Sequence, residues 1–457
     1  PNVSKEQIIN QAIKLNSQGK YKEAAKYYQL FIDKGYKDYR VFSNYGSILK
    51  SLRKLKEAEI ATREAIELNP DFAIAHSNLG GILKDLGKVE EAEVSTRKAI
   101  KLNPDYALAH SNLGSILNDL GKVKEAEVST RKAIKLNPNI AKSYNNLGTI
   151  LTEIGRLKEA EIFYSKAISL EPNYEDAHIN RGKLFFDNKE FEKALRDSDS
   201  CNSKNSRAFS LEILYSLGRI KEIYNRIENS AGLDSDNIRL AAFSSFISES
   251  QNKETCNNFC PKPLSFLHFN NLKFHVKEYK EFIKEIINEL SDIKTIWEPS
   301  NKATHNGFQT PSHINLFSNP SEKISYLITI ILNELNSYFK KFENESCTYI
   351  QKWPFHKNLK AWHVILKKQG YQSAHIHPAG WLSGVIYLKV VPPLKNNEGA
   401  IEFSLNGENY FDVNSPQLIH QPEAGDIILF PSSLHHRTIP FSTDTKRIVI
   451  AFDLIQD

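Results

Sequence analysis

The sequence predicts a multidomain chain in which an all-α repeat solenoid is followed by a β-strand domain with flanking helices. Three observations predict it. A phrase recurs every 34 residues through the first half: VFSNYG at Val41, AHSNLG at Ala75 and again at Ala109, SYNNLG at Ser143 and AHINRG at Ala177. From Ala361 to Leu454 the apolar residues fall instead into short strand-like runs. Composition changes along with the period: all four Trp (297, 353, 362, 381) lie after residue 290, and eleven of the fourteen His lie after residue 260.

The length of 457 residues accommodates two or three domains. With 40% hydrophobic and 25% charged residues the composition is that of a soluble globular protein. A net charge of +5 is too slight to imply nucleic acid or a membrane surface as partner. No apolar run approaches the roughly 20 residues that span a bilayer, and the opening PNVSKEQIINQ has no apolar signal core. The four cysteines (201, 256, 260, 347) are scattered, and Cys256-x-x-x-Cys260 lacks a second pair to complete a zinc site. They read as reduced thiols of a cytoplasmic protein.

The repeats come first. Each supplies two helices, and neither can bury its apolar face alone, so neighbours must stack. In the repeat 73–106 the first helix carries Leu79, Gly80 and Leu83 on one face, and Gly80 is small so that the second helix, with Ala92 and Ala99, can approach. Pro104 ends the second helix, because proline cannot continue a helix interior; Pro70, Pro138 and Pro172 keep the same interval. Repeats are expected at 5–38, 39–72, 73–106, 107–140, 141–174 and 175–203. A degenerate one follows from Lys204, and a closing helix spans 238–250, so the solenoid is expected to occupy 1–250. Asn44, Asn78, Asn112, Asn146 and Asn180 form a column with the same period. An amide offers both a donor and an acceptor, so such a ladder can pair with an extended peptide backbone of any sequence. Asn in this column can equally serve to fix the geometry between helices.

Residues 251–267 (QNKETCNNFCPKPLSFL) are polar, then Pro-bearing, and read as an ordered, non-helical linker to a domain at 268–457. Amphipathic helices are expected near 276–290 and 321–341, the second from the spacing of Ile328, Ile331, Leu332, Leu335 and Tyr338.

The chemistry-bearing residues lie in the strand-like part. In His375-Ile376-His377 the two imidazoles sit at i and i+2 of an extended segment, so both point to one face and can approach one metal ion. A third ligand must come from elsewhere, and His435-His436 follows the strand-like run 426–430. Adjacent strand residues face opposite ways, so one of that pair reaches the metal. Two nearby ligands, one distant ligand and open positions describe a non-haem iron(II) oxygenase site. Imidazole suits zinc as well as iron, and spacing does not choose between them. Histidines of β-rich domains also serve as ordinary packing and hydrogen-bonding residues.

The repeat words L-G, K-x-x-E-A and A-I-x-L-x-P resemble the tetratricopeptide repeat. The Asn column resembles that of the O-linked N-acetylglucosamine transferases, which implies a protein or peptide held on the concave repeat face. The words HIHPAGWLSGVIYL, GDIILFPSSLHHRTIPF and RIVIAFDL resemble the 2-oxoglutarate- and iron(II)-dependent oxygenases, and among these the members fused to tetratricopeptide repeats. NFCPKPL and THNGFQTPSHINLF extend the likeness upstream. This resemblance implies a double-stranded β-helix, or jelly-roll, with iron(II) and 2-oxoglutarate as cofactors. His375 matches the first metal ligand. His436 matches the distal one, since Pro440 follows it by four residues. Arg447 matches the residue that clamps the far carboxylate of 2-oxoglutarate, a task for which a guanidinium fork is suited. Two positions depart from the superfamily. His377 stands where a carboxylate is usual, so the ligand set is three histidines or borrows a carboxylate from elsewhere. Val449 stands where a serine often helps to hold the co-substrate, and Tyr387 and Ser383 are the hydroxyls expected to substitute for it. No catalytic residue is expected beyond the metal ligands.

Three function classes follow: a peptide or protein hydroxylase fed by its repeats, a small-molecule oxygenase with the repeats as scaffold, and a non-catalytic adaptor. The intact HxH, distal His and Arg argue against the third.

Overall fold

The structure is a computed structural model and describes residues 4–299, 302–392 and 395–456. The chain divides into two compact units, residues 1–184 and 185–457.

The first unit is the expected all-α superhelix. Its helices come in pairs: Lys5–Ser17 with Tyr21–Asp33, Tyr39–Ser51 with Leu55–Leu68, Ala73–Asp85 with Val89–Leu102, Ala107–Asp119 with Val123–Leu136, and Ala141–Glu153 with Leu157–Leu170. The packing shows why one pair is not enough. Leu79, Leu83 and Ala92 of one repeat close around Ile116 of the next, and Leu113, Leu117 and Ala126 close around Ile150 in the same way. Each apolar cluster is therefore completed by a neighbour. Gly80 is required by the approach of the two helices, since a Cβ there would lie 1.9 Å from Thr96 Oγ1 and 3.2 Å from the Ala92 carbonyl.

The second unit begins with further helices of the repeat series, Phe191–Asp199, Lys204–Ser216, Ile220–Ser230 and Ile238–Ser250. Among the described residues it continues with ten strands: β1 His268–Asn271, β2 Ile296–Trp297, β3 Thr304–Gln309, β4 Asn358–Gln372, β5 Leu382–Lys389, β6 Ile401–Ser404, β7 Gln417–His420, β8 Asp426–Pro431, β9 His435–Thr438 and β10 Arg447–Ile455. A larger sheet has the order β1-β8-β5-β10-β4-β3-β2 and a smaller one β7-β6-β9. All pairings are antiparallel. Phe403 and His436 of the smaller sheet meet Phe430 of the larger one, at ring separations of 5.1 and 4.6 Å, so the two sheets face each other as a jelly-roll requires.

Register assigns the two faces of the larger sheet. Ser383 lies opposite Asp453 and Phe430, Val385 opposite Ala451 and Ile428, and Tyr387 opposite Val449. Directly opposed residues share a face, and this face looks toward the smaller sheet. The alternate residues Gly384, Ile386, Ile427, Leu429, Ile450 and Phe452 point the other way, where helices Tyr279–Ser291 and Glu322–Phe342 cover them. Ile283, Ile286, Leu327, Ile331 and Leu335 join Ile386, Leu429, Ile450 and Phe452 in one buried cluster.

Residues 251–267, expected to connect two domains, take part in the core of this unit. Phe259 is fully buried, packs edge-on against Trp381 at 5.0 Å, and its carbonyl accepts from the Tyr349 N–H at 2.8 Å. Pro263–Phe266 adds a short 3-10 turn. The helices before this segment also belong to the second unit. Tyr410, on the excursion between β6 and β7, packs against Phe243 and Phe246 at 5.0 and 4.7 Å, and the Asn409 amide donates to Glu212 at 2.7 Å. Among the described residues no helix is long and apolar enough to cross a membrane.

Candidate functional site

His375 and His377 lie in the segment that leaves β4 and enters β5, and backbone bonds fix both. His375 and His436 exchange N–H···O bonds of 3.1 Å as an isolated antiparallel bridge, and the His377 N–H donates to the Ser432 carbonyl at 3.0 Å. His436 is on β9, opposite Phe403. The ring centroids of His375, His377 and His436 stand 4.3 to 5.2 Å apart. One nitrogen from each lies within 4.8 Å of the others, an arrangement that could hold a metal ion. His435 faces the opposite side of the strand, 3.4 Å from the Tyr410 hydroxyl, as strand alternation requires.

The second nitrogen of each ring has its own acceptor. Nδ1 of His375 lies 2.7 Å from the Ser373 carbonyl, Nδ1 of His377 lies 2.6 Å from Asp453 Oδ1, and Nδ1 of His436 lies 3.3 Å from the Leu434 carbonyl. A carbonyl or carboxylate only accepts, so each Nδ1 carries a proton, and in the neutral ring Nε2 then keeps its lone pair. Burial, reinforced by His377, pushes His375 down to about 3, and burial with both neighbouring histidines pushes His436 well below its ordinary value. These two rings are therefore neutral at neutral pH, the form that binds metal. Trp362, Phe430 and Phe403 surround the cluster at 5.5, 4.6 and 6.3 Å from their nearest histidine ring. These apolar rings line one side of the cluster, and the histidines themselves stay partly exposed.

Arg447 opens β10 on the same face of the sheet as Tyr387. It is 2% exposed. Its Nη2 donates to the Tyr387 hydroxyl at 3.1 Å, and among the described residues Nε and Nη1 find no partner. Burying a guanidinium costs several kcal/mol unless an anion meets it. Burial raises the Tyr387 phenol above its ordinary value, so the hydroxyl keeps its proton while it accepts from Arg447. A buried guanidinium with two unpartnered nitrogens calls for an anion, and a carboxylate is one that a guanidinium binds well. Ser383 departs from the expectation that placed it with them. Its hydroxyl lies 2.7 Å from Asp453 Oδ1 and 2.8 Å from Ser432 Oγ, so it serves the surroundings of His377. Val449 is buried and apolar.

The Asn column binds its own neighbours. The Nδ2 of Asn78, Asn112, Asn146 and Asn180 donates to Ser43 Oγ, Ser77 Oγ, the Ser111 carbonyl and Asn145 Oδ1, each at 3.1 Å and each 35 residues back. Oδ1 of Asn112 accepts from Lys142 Nζ at 2.8 Å. Asn44 is exposed. These amides tie one repeat to the next.

The sequence reading missed Asp453 and the two carbonyls that orient the histidines. Backbone acceptors leave no trace in residue identity. Asp453 did leave a signal, a lone acid inside the apolar run RIVIAFDL.

Comparison with known proteins agrees with this architecture. Residues 360–453 match the family described as "Putative 2OG-Fe(II) oxygenase". Tetratricopeptide-repeat families match residues 39–72, 80–121, 107–140 and 141–174. The chain therefore carries tetratricopeptide repeats followed by a domain of that oxygenase family. Among curated proteins none matches. The repeat part is similar to solved repeat structures. One is a thermophilic tetratricopeptide-repeat protein of Thermus thermophilus, at 19% identity over 40% of this chain and 100% of that one, with a TM-score of 0.37. Another is pilF of Pseudomonas aeruginosa, at 17% identity over 46% and 97%, with a TM-score of 0.38. A third is YrrB, described as a repeat protein with an unusual peptide-binding site, at 25% identity over 38% and 91%, with a TM-score of 0.29.

Proposed function

We propose that the chain is an iron(II)- and 2-oxoglutarate-dependent dioxygenase that hydroxylates a protein or peptide recruited by its repeats. One observation carries the reading. Three imidazoles with free Nε2 atoms converge inside a jelly-roll whose inner face also carries a buried guanidinium with two unpartnered nitrogens. His375, His377 and His436 would hold the iron, and Arg447 with Tyr387 would hold the far carboxylate of 2-oxoglutarate. When bound, iron(II) and 2-oxoglutarate supply dioxygen chemistry in which the co-substrate is converted to succinate and carbon dioxide and a C–H bond becomes C–OH.

The protein's own contribution is positional. The bridge between His375 and His436 holds two rings in register, Asp453 and the carbonyls of Ser373 and Leu434 orient the rings, and Trp362, Phe403 and Phe430 pack beside them. A cytoplasmic location is consistent with four free cysteines. A second reading, a small-molecule oxygenase with the repeats as scaffold, is favoured by one observation: the Asn amides are engaged between repeats.

The test of the activity is succinate release from 2-oxoglutarate in wild type and in Arg447→Ala. The variant should bind iron(II) normally and need far more 2-oxoglutarate. Losing one partner of a buried charge pair costs on the order of 2–5 kcal/mol. An unchanged 2-oxoglutarate dependence would assign the clamp to another residue.

A further inference from the structure

We propose that Asp453 is a positioning residue of the metal centre, holding His377 and supplying, one hydrogen bond away, the negative charge that three neutral imidazoles lack. The inference rests on the reading of His375, His377 and His436 as metal ligands.

Four observations carry it. Asp453 is 8% exposed, near the end of β10. Its Oδ1 accepts from His377 Nδ1–H at 2.6 Å and from the Ser383 hydroxyl at 2.7 Å, and among the described residues its ion-pair partner is His377. The carboxylate is itself held in place, because Ser383 also meets Ser432 at 2.8 Å and the Ser432 carbonyl accepts from the His377 N–H at 3.0 Å. Ring and backbone of His377 are thus tied to one connected group. Finally, Gly380 makes room for it: a Cβ at that position would lie 2.6 Å from Ser432 Oγ and 3.0 Å from Asp453 Cγ.

The physical consequence is specific. Asp453 is not among the residues whose ligand atoms converge, so it reaches the metal through the imidazole. A carboxylate accepting from Nδ1–H fixes the tautomer, stops rotation of the ring and raises the basicity of Nε2. It also places one unit of negative charge beside a divalent cation whose three protein ligands are neutral. Where a histidine ligand takes the place of a carboxylate, this restores charge without changing the donor atoms.

The test is binding of cobalt(II), as an air-stable optical probe, to the full chain, with the thermal midpoint of the metal-free protein measured in parallel. Asp453→Asn keeps shape and an acceptor oxygen but removes the charge. The expected result is a roughly 10–100-fold weaker cobalt(II) affinity, with a shifted ligand-field spectrum and a metal-free midpoint close to wild type. In a His377→Ala background the same substitution should change residual affinity by less than about threefold, because the effect acts through that ring. Wild-type affinity in Asp453→Asn, or an equal loss with and without His377, would overturn the proposal. Absence of cobalt(II) binding by wild type would overturn the metal reading itself, and the inference with it. If Asp453→Asn does not fold, wild-type protein labelled with nitrogen-15 histidine decides. A protected, far-downfield Nδ1–H assigned to His377 supports the proposal, and an unprotonated Nδ1 on that ring overturns it.

Discussion

A histidine serves as a ligand when one ring nitrogen is committed, the other is free and that free nitrogen meets those of other rings; convergence is what sets three histidines of this chain apart. His375, His377 and His436 each commit Nδ1 to an acceptor. His363 does something different. It is fully buried, its Nδ1 meets Thr310 Oγ1 at 2.8 Å, and its Nε2 has no partner among the described residues. Burial pushes it down to about 4. The unfolded chain protonates this ring near 6.5, so between roughly pH 6.5 and 4 the unfolded state binds more protons. Stability conferred by the neutral ring is therefore complete above this window and is lost as pH falls through it. At 1.36 kcal/mol per unit, a drop from 6.5 to about 4 bounds the contribution at about 3 kcal/mol. His363→Gln should flatten the dependence of the urea midpoint on pH between 7 and 4.5, and an unchanged slope would move the titration to other groups. None of this was legible in the sequence, where His363 is one more residue of an apolar run. The HxH pair was legible from its spacing, and the choice of His436 over His435 from the family resemblance that Pro440 carries. Ser383 was not, because its partner depends on cross-strand register.

At the scale of the element, two periodicities do most of the work. Period two puts His436, Arg447, Tyr387 and Asp453 on the inner face of the jelly-roll and the helix-facing residues on the other, while backbone bonds to β9 and Ser432 bring in His375 and His377. A period of 34 residues sets the helix pairs and places an Ile from the next repeat in each cluster. Both were visible in the sequence. The detail at the helix contact was only half visible: the small residue Gly80 was expected, but its neighbour is Thr96 rather than Ala92 alone. Gly80→Ala should destabilise the full chain by about 1–3 kcal/mol through overpacking. Thr96→Ala added to it should recover part of that loss, giving a favourable coupling in a double-mutant cycle read by urea denaturation. Purely additive effects would show that the helices move apart freely. The Asn column illustrates the opposite case. Its period was plain, yet identity alone could not tell a peptide-gripping amide from one that bridges repeats, and the hydrogen bonds lie between repeats.

For the whole molecule, the repeat series and the compact units do not share a boundary. Helices that continue the repeat pattern after residue 185 belong to the unit that contains the jelly-roll, because Phe243 and Phe246 pack on Tyr410. A chain beginning near Asn258 would strip this support and expose those rings. We expect it to aggregate, whereas a chain beginning at Glu175 should fold with a cooperative transition. The longer fragment also separates the two functional readings. A peptide hydroxylase should retain substrate-free turnover of 2-oxoglutarate but lose hydroxylated product per succinate, and a small-molecule oxygenase should keep both. Full coupling on a peptide substrate without the first five repeats would remove them from substrate delivery.

The central claim is that three histidines from two separate stretches of chain form one iron centre. Anaerobic titration of iron(II) into the purified chain tests it most directly. The account predicts one iron bound per wild-type chain, none retained by His375→Ala or by His436→Ala, and near-normal binding by His435→Ala, whose ring faces Tyr410. Stoichiometric iron in both His375→Ala and His436→Ala, or loss of iron in His435→Ala with His436→Ala intact, would contradict it.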